Sequence, residues 1–257
     1  MSRLNLIKYR KLLNKNGFIK IDNYFSYSQT KNLLNYFDEI ESLKEQKNKY
    51  MIYYEDENSL KKSRIEYFYK YHNGIYNFVY KNINPFINTL VGQNQVLFKD
   101  KMNWKFPGGN GFKAHQDHCA WNDFDISIFY SIALSGNKSN KENGCLQFSN
   151  YDNKKILDQS NNLGEINDVI DKKLKWEYIE TNPSDLIVFN SFVPHKSDSN
   201  TSDDSRRIMY LTFNNESEGN YYEDYNKNKR KYFPPNIERD KIYNYKDNKY
   251  NLGNPMK

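Results

Sequence analysis

From residue 95 to residue 213 the chain is a series of short strand-like segments separated by turn signals, and that pattern confines it to a β-sandwich or barrel. Residues 95–106 (QVLFKDKMNWKF) alternate in side-chain type, as a strand with two different faces does. Pro107-Gly108-Gly109-Asn110-Gly111 follows as a turn; it lacks the Gly-Lys-Ser/Thr ending of a phosphate loop. Residues 126–135 (ISIFYSIALS) are a continuous apolar run suited to a buried strand. Further strands are expected at 145–149, 176–180, 185–190 and 206–213.

Ahead of this region the periodicity is helical. Leu4, Ile7, Leu12 and Leu13 give a short helix over 4–15, stopped by Gly17, and Phe18–Ile21 reads as a strand. Leu33, Leu34, Phe37, Ile40 and Leu43 form one face of a helix over 27–46, and 75–90 gives another, interrupted near Pro85. Residues 47–72 are polar and Tyr-rich, and their pattern assigns no element. A helix is expected over 221–231, with a polar arm after Pro234-Pro235. The expectation is one domain over 1–257: a helical part to about 94, a β core over about 95–215, and a C-terminal helix and tail from 216. The apolar fraction is only 37%, but 23 Tyr and 16 Phe supply aromatic area for a core.

Charge and cysteine content narrow the function classes. Thirty-eight basic residues against 32 acidic ones give +6, with the two signs interleaved, which fits a solvated surface and a small anionic substrate better than nucleic acid. Two cysteines, Cys119 and Cys145, make neither a disulfide framework nor a metal finger. No apolar run has the length of a signal peptide or a membrane span, so a soluble cytoplasmic protein is expected.

The residues richest in chemistry lie in Gly111-Phe-Lys-Ala-His115-Gln-Asp117-His-Cys-Ala-Trp121. On a strand, the spacing of His115 and Asp117 places both side chains on one face, where they can take adjacent positions on a metal. Of the four histidines, His195, just after the strand expected at 185–190, is the natural third ligand. His118 would point away from Asp117 on a regular strand, and His72 reads as a surface or packing residue. Isolated His-x-Asp pairs are common and mostly bind nothing. Two imidazoles and one carboxylate, however, form the facial set of non-haem iron(II) oxygenases, whose remaining positions admit a bidentate 2-oxo acid and dioxygen. A cosubstrate such as 2-oxoglutarate needs a cation for its distal carboxylate. Arg206 shares a strand face with Ile208, Tyr210 and Thr212, and Arg207 with Met209, Leu211 and Phe213; the first face suits a pocket and the second suits packing against helices. The alternative for either arginine is a surface ion pair.

His115-x-Asp117, His195 and an arginine eleven positions later resemble the phytanoyl-CoA dioxygenase family, and that spacing also selects Arg206. The stretch GFIKIDNYFSYSQTKNLLNYF is similar to the family's opening strand and helix. Residues 97–117 and 191–239, with SFVPHKSDSN, NNESEG and KYFPPNIER, resemble a bacterial subgroup that includes a hydroxylase of 2-aminoethylphosphonate. The resemblance implies a double-stranded β-helix (a jelly-roll, cupin-like fold), iron(II), 2-oxoglutarate, and hydroxylation of an unactivated C–H bond with release of succinate and carbon dioxide. Halogenating relatives replace the carboxylate ligand by a small residue, so Asp117 argues against halogenation. In similar enzymes the strand holding Lys99, Lys101, Asn103 and Lys105 lines the pocket. Lys101 and Asn103 then face 2-oxoglutarate or substrate, Lys99 or Lys105 can join them at the substrate, and Trp121 can wall it. The alternatives are a polar sheet edge for the lysines and a packed core position for Trp121. A phosphonate is the leading substrate; a free amino acid or natural-product intermediate is the alternative, and a non-catalytic binding or sensor barrel is the reading from another class. Oligomeric state is not legible in the sequence.

Overall fold

The computed structural model describes residues 3–55, 59–121, 123–150, 155–160 and 164–240. Its strands are β1 (Phe18–Ile21), β2 (Met51–Tyr54), β3 (Lys62–Glu66), β4 (Gln95–Lys105), β5 (Phe112–His115), β6 (Phe129–Ser135), β7 (Leu146–Ser149), β8 (Trp176–Ile179), β9 (Leu186–Asn190), β10 (His195–Ser197) and β11 (Arg206–Asn215). Its helices are α1 (Arg3–Asn16), α2 (Tyr27–Ser42), α3 (Asn73–Phe78), α4 (Asn84–Val91), α5 (Asp168–Asp171) and α6 (Tyr222–Tyr232). Two antiparallel sheets result, one of seven strands in the order β1-β9-β6-β11-β4-β3-β2 and one of four in the order β5-β10-β7-β8. This is the expected jelly-roll with flanking helices. No helix among the described residues is long and apolar enough to cross a membrane.

The apolar run at 126–135 becomes β6, held between β9 and β11. The strand starts at Phe129 and not at 126, because the Ser127 amide donates to the Glu218 carboxylate instead of a neighbouring strand. Two cores follow from the layering. The smaller lies between the sheets and contains Phe18, Ala133, Phe148, Phe189 and Ile208, with Tyr210 packed against it. The larger fills the space between sheet and helices and includes Leu33, Phe37, Ile40, Leu134, Met209 and Leu211.

Helix α2 begins at a capping box, Ser26 and Gln29 exchanging side-chain and backbone hydrogen bonds. It ends at Ser42 and not at 46, since Leu43 is extended and Lys62 Nζ caps the carbonyls of Glu41 and Leu43 at 2.5 and 2.7 Å. The break in the 75–90 helix is a π-turn, Val79–Ile83; Pro85 sits in the first turn of α4, where its missing N–H is harmless. The largest departure from the pattern is in 47–72, which supplies β2 and β3 at the edge of the larger sheet. Polarity hid β3, where Arg64 and Glu66 are charged and still almost fully buried; the buried Met51-Ile52-Tyr53 of β2 was the apolar signal the segment did offer. The arm after Pro235 starts with a 3-10 turn, Asn236–Glu238, anchored by the Asn48 amide on the Glu238 carboxylate; residues 241–257 lie outside the described residues.

Phe37 makes a close helix-to-sheet contact. Its ring lies against the backbone of Gly136, at the end of β6, where any side chain would collide with it. Phe37→Ala is expected to cost about 3–5 kcal/mol of folding stability in urea titration; a loss below about 1 kcal/mol would show that α2 does not bear on the core.

Candidate metal centre

The two histidines meet because of strand register. His195, the first residue of β10, is the direct cross-strand partner of His115, the last residue of β5, so their side chains leave the same face of the smaller sheet. The ring centroids are 4.1 Å apart. Asp117 arrives differently from the sequence expectation. It does not continue β5 but opens a 3-10 turn, Asp117–Trp121, which swings its carboxylate back toward the rings. Asp117 Oδ1 lies 3.9 Å from His115 Nε2, and Oδ2 lies 3.8 Å from His195 Nε2. All three ligand atoms fall within 4.8 Å of one another.

The fit to a first-row divalent metal rests on tautomer and access. His115 Nδ1 is 2.7 Å from the Lys113 carbonyl, and His195 Nδ1 is 3.1 Å from the Val193 carbonyl. A carbonyl only accepts, so each Nδ1 carries the proton and each Nε2 lone pair is free for a metal. Burial, then the nearby His115, lowers the His195 pKa to about 4, which keeps the ring neutral. Burial alone would raise the Asp117 pKa, but His195, His115, Lys101 and Lys99 outweigh it and leave the carboxyl below its usual range. The His195 side chain is 7% exposed against 22% for His115 and Asp117, so the group is backed by protein on one side and open on the other. His118 is not part of it. It stacks on Phe192 at 4.0 Å, with Nδ1 at 3.1 Å from Ser191 Oγ. His72 caps α3 and pairs with Glu39.

Gln116, which sequence reasoning passed over, ties this turn down. Its buried side chain donates to the carbonyls of Phe192 (2.6 Å) and Lys155 (2.9 Å) and accepts from the Leu157 amide (2.7 Å). Its position between two ligand-type residues was the available signal.

The pocket face of the larger sheet carries the cations. Lys99, Lys101, Asn103 and Lys105 on β4 stand opposite Thr212, Tyr210, Ile208 and Arg206 on β11. They are thus on the inner face of central strands, not on a polar edge. Arg206 is 1% exposed; its guanidinium donates to the Gly144 carbonyl, and its Nε has no hydrogen-bond partner among the described residues. Lys105 lies beside it and not beside Lys99, donating to Ser197 Oγ at 2.8 Å and to the Asp198 carbonyl. Burial, then Arg206, lowers the Lys105 pKa to about 6. Gly144 (φ +73°) lets these groups close up, since a Cβ there would strike the Asp198 carbonyl. Burial, then Lys99, lowers the Lys101 pKa to about 7, and its Nζ sits 4.9 Å from the Tyr210 ring centre. Asn103 Oδ1 is buried without a hydrogen-bond partner among the described residues. Trp121 takes the core position, 4% exposed against Phe98 and Phe129, with Lys99 Nζ 5.2 Å from its ring. Arg207 faces the helices and pairs with Asp38 and Glu41 of α2 at 2.6 and 2.8 Å, the ion-pair alternative for this arginine.

Residues 13–208 match the family model described as Phytanoyl-CoA dioxygenase (PhyH). The chain is 39% identical over 249 residues to a 2-aminoethylphosphonate dioxygenase from an uncultured bacterium, covering 94% of this chain and 95% of that protein. It is 34% identical over 222 residues to a methylphosphonate hydroxylase from Gimesia maris, covering 86% and 85%. Among solved structures, apo EctD from S. alaskensis superimposes with a TM-score of 0.70 at 15% identity, over 85% of this chain and 78% of that one. The epimerase SnoN in complex with Fe3+, alpha ketoglutarate and nogalamycin RO does so with 0.68 at 10% identity, over 83% and 85%. These last two establish shared architecture.

Asp117→Ala is expected to abolish iron(II) binding, read by calorimetry under anaerobic conditions, while the far-ultraviolet circular dichroism stays that of the parent, because the carboxylate belongs to an open site and not to the core. Iron affinity equal to the parent's would remove Asp117 from the ligand set.

Proposed function

Because this chain belongs to the phytanoyl-CoA dioxygenase family and is an iron(II)- and 2-oxoglutarate-dependent dioxygenase, we propose that it hydroxylates a small phosphonate, with 2-aminoethylphosphonate the leading substrate. The observation that carries this reading is the inner face of β4, where Lys99 is buried and Lys101 partly buried, both within the electrostatic reach of Asp117 and neither bonded to a carboxylate among the described residues. A buried ammonium without a counter-charge is costly, and an anionic headgroup removes that cost. The two phosphonate-directed relatives support the same class.

In this reading His115, Asp117 and His195 hold the iron, which when bound supplies a chelation site for the 2-oxo acid and a means of activating dioxygen. One oxygen atom goes to the substrate carbon and the other to succinate, with loss of carbon dioxide. The distal carboxylate of 2-oxoglutarate belongs on Arg206, whose buried Nε lacks a partner among the described residues, and on its neighbour Lys105. Ser197, which Lys105 touches, is two residues along β10 from His195. That is about 6.5 Å along a strand, the scale of a five-carbon dicarboxylate. Lys105 is thereby taken from the substrate group of the sequence reading and given to the cosubstrate. Lys101 and Lys99 take the substrate headgroup, and Asn103 lies between the two ends of the site.

The direct test is succinate release with 2-aminoethylphosphonate, methylphosphonate, free amino acids and acyl-CoA compounds. Stimulation by a phosphonate alone is expected, and stimulation by an amino acid or acyl-CoA but no phosphonate overturns the reading. Lys101→Met should raise the KM for the phosphonate about tenfold, the loss of one charge-assisted contact, and leave substrate-free decarboxylation of 2-oxoglutarate unchanged. Arg206→Ala should raise the KM for 2-oxoglutarate by roughly 30–150-fold, equivalent to about 2–3 kcal/mol. Arg207→Ala should leave that KM alone and cost about 1 kcal/mol of stability through its partly exposed ion pairs. The reverse ranking of the two arginines would show that the wrong strand face has been given to the cosubstrate.

A further inference from the structure

Behind Lys99 and Lys101 lies a charged group that the proposed contacts do not use. Glu66 is 0% exposed and Arg64 and Lys229 are each 1% exposed. Arg64 Nε is 3.1 Å from Glu66 Oε1, and Lys229 of α6 donates to Glu66 Oε2. Tyr53 forms a floor for both cations, its ring centre 4.5 Å from the Arg64 guanidinium and 5.3 Å from Lys229 Nζ. Register places the group on the pocket face: Glu66 is the cross-strand partner of Lys101, and Arg64 that of Asn103. Burial alone would raise the Glu66 pKa, but Lys229, Arg64, Lys99 and Lys101 outweigh it and hold the carboxyl well below the usual range. Arg64 Nη2 is buried with no hydrogen-bond partner among the described residues. Counted as formal charges, two cations around one carboxylate carry +1 in a dry, weakly screened region, burial drawing Lys229 well below its usual range. The group acts on Lys99 and Lys101, where burial lowers the pKa most, Glu66 raises it and Arg64 lowers it.

Resting on the reading of the substrate as a phosphonate, we propose that Arg64, Glu66 and Lys229 form a charge-selecting group that touches no substrate atom and makes the pocket favour a doubly charged oxyanion over a singly charged one of the same shape. Lys101 and Lys99 make the contact, and the group behind them sets how much negative charge they accept. All three are positioning residues. A phosphonate and a sulfonate share tetrahedral shape and oxygen count and differ by one charge, so the trio acts on their ratio and not on their common fit. The trio's net charge is also adjustable in both directions. Arg64→Gln brings it to zero, Glu66→Gln doubles it, and Glu66→Gln with Lys229→Gln leaves it unchanged.

The experiment measures dissociation constants of methylphosphonate and methanesulfonate by calorimetry on the anaerobic iron(II)·2-oxoglutarate complex, above the second ionisation of the phosphonate. The ratio of the two constants within one preparation is independent of the folded fraction, so partial unfolding of a variant does not distort it. The parent should favour the phosphonate. Arg64→Gln should narrow the ratio about tenfold, Glu66→Gln should widen it, and the double variant should keep it. A merely structural role weakens both ligands together, so a ratio unmoved across all variants overturns the inference while leaving the substrate reading in place. A parent protein that binds neither ligand, or prefers the sulfonate, overturns the substrate reading and this inference with it.

Discussion

The pairing of β4 with β11 is the constraint on which the rest of the site depends. A central antiparallel pair has one face toward the second sheet, and here that face carries Lys99, Lys101, Asn103 and Lys105 opposite Thr212, Tyr210, Ile208 and Arg206. A one-residue slip would exchange this set for Asp100, Met102 and Trp104 and would push the cations into the helix-facing core. Register is therefore specified twice, by the apolar residues that must pack against the helices and by the polar ones that cannot. The neighbouring β3 extends the same face with Arg64 and Glu66, so the positive wall spans three strands.

Such a wall opposes folding. Each unpaired ammonium or guanidinium taken from water carries a cost of several kcal/mol unless something replaces its hydration. The protein meets this unevenly. Lys229, Glu66 and Arg64 compensate one another in part, Lys105 is hydrogen-bonded to Ser197 and backbone carbonyls, and Arg206 retains a buried Nε without a partner among the described residues. Burial draws the Lys101 and Lys105 pKa values down to about 7 and about 6, which places both near neutrality until an anion arrives. Local unfavourable electrostatics concentrated on one face, with ordinary packing elsewhere, is the arrangement expected of a binding site.

The metal-type cluster sits across the gap on the smaller sheet, and its precision comes from backbone and not from side-chain packing. The β5–β10 register brings two imidazoles together, the carbonyls of Lys113 and Val193 fix their protons, and Gln116 fastens the turn that returns Asp117. Phe148 and Phe189 back His195 at ring distances of 5.9 and 5.1 Å, which leaves the opposite side to cosubstrate and dioxygen. The four-stranded sheet thus presents the candidate metal ligands and the seven-stranded sheet presents the charge.

The sequence by itself determined the β character of 95–213, the inward direction of Arg206 against the helix-facing Arg207, and the trio His115, Asp117 and His195. These were legible because strand alternation is a local property, and because histidine is rare enough in this stretch to stand out. It also placed Lys99, Lys101, Asn103 and Lys105 on one face. Three things were decided only by tertiary structure. Residues 47–72 form β2 and β3 because β3 pairs with β4 and β2 with β3; no apolar alternation marked β3, since Arg64 and Glu66 fill buried positions there. Asp117 reaches the histidines through a 3-10 turn, a local fold that the Phe192 and Lys155 carbonyls and the Leu157 amide stabilise through Gln116 from distant parts of the chain. Lys105 and Arg206 were assigned to different ligands by spacing but are cross-strand partners in space, because register, unlike alternation, depends on both strands at once.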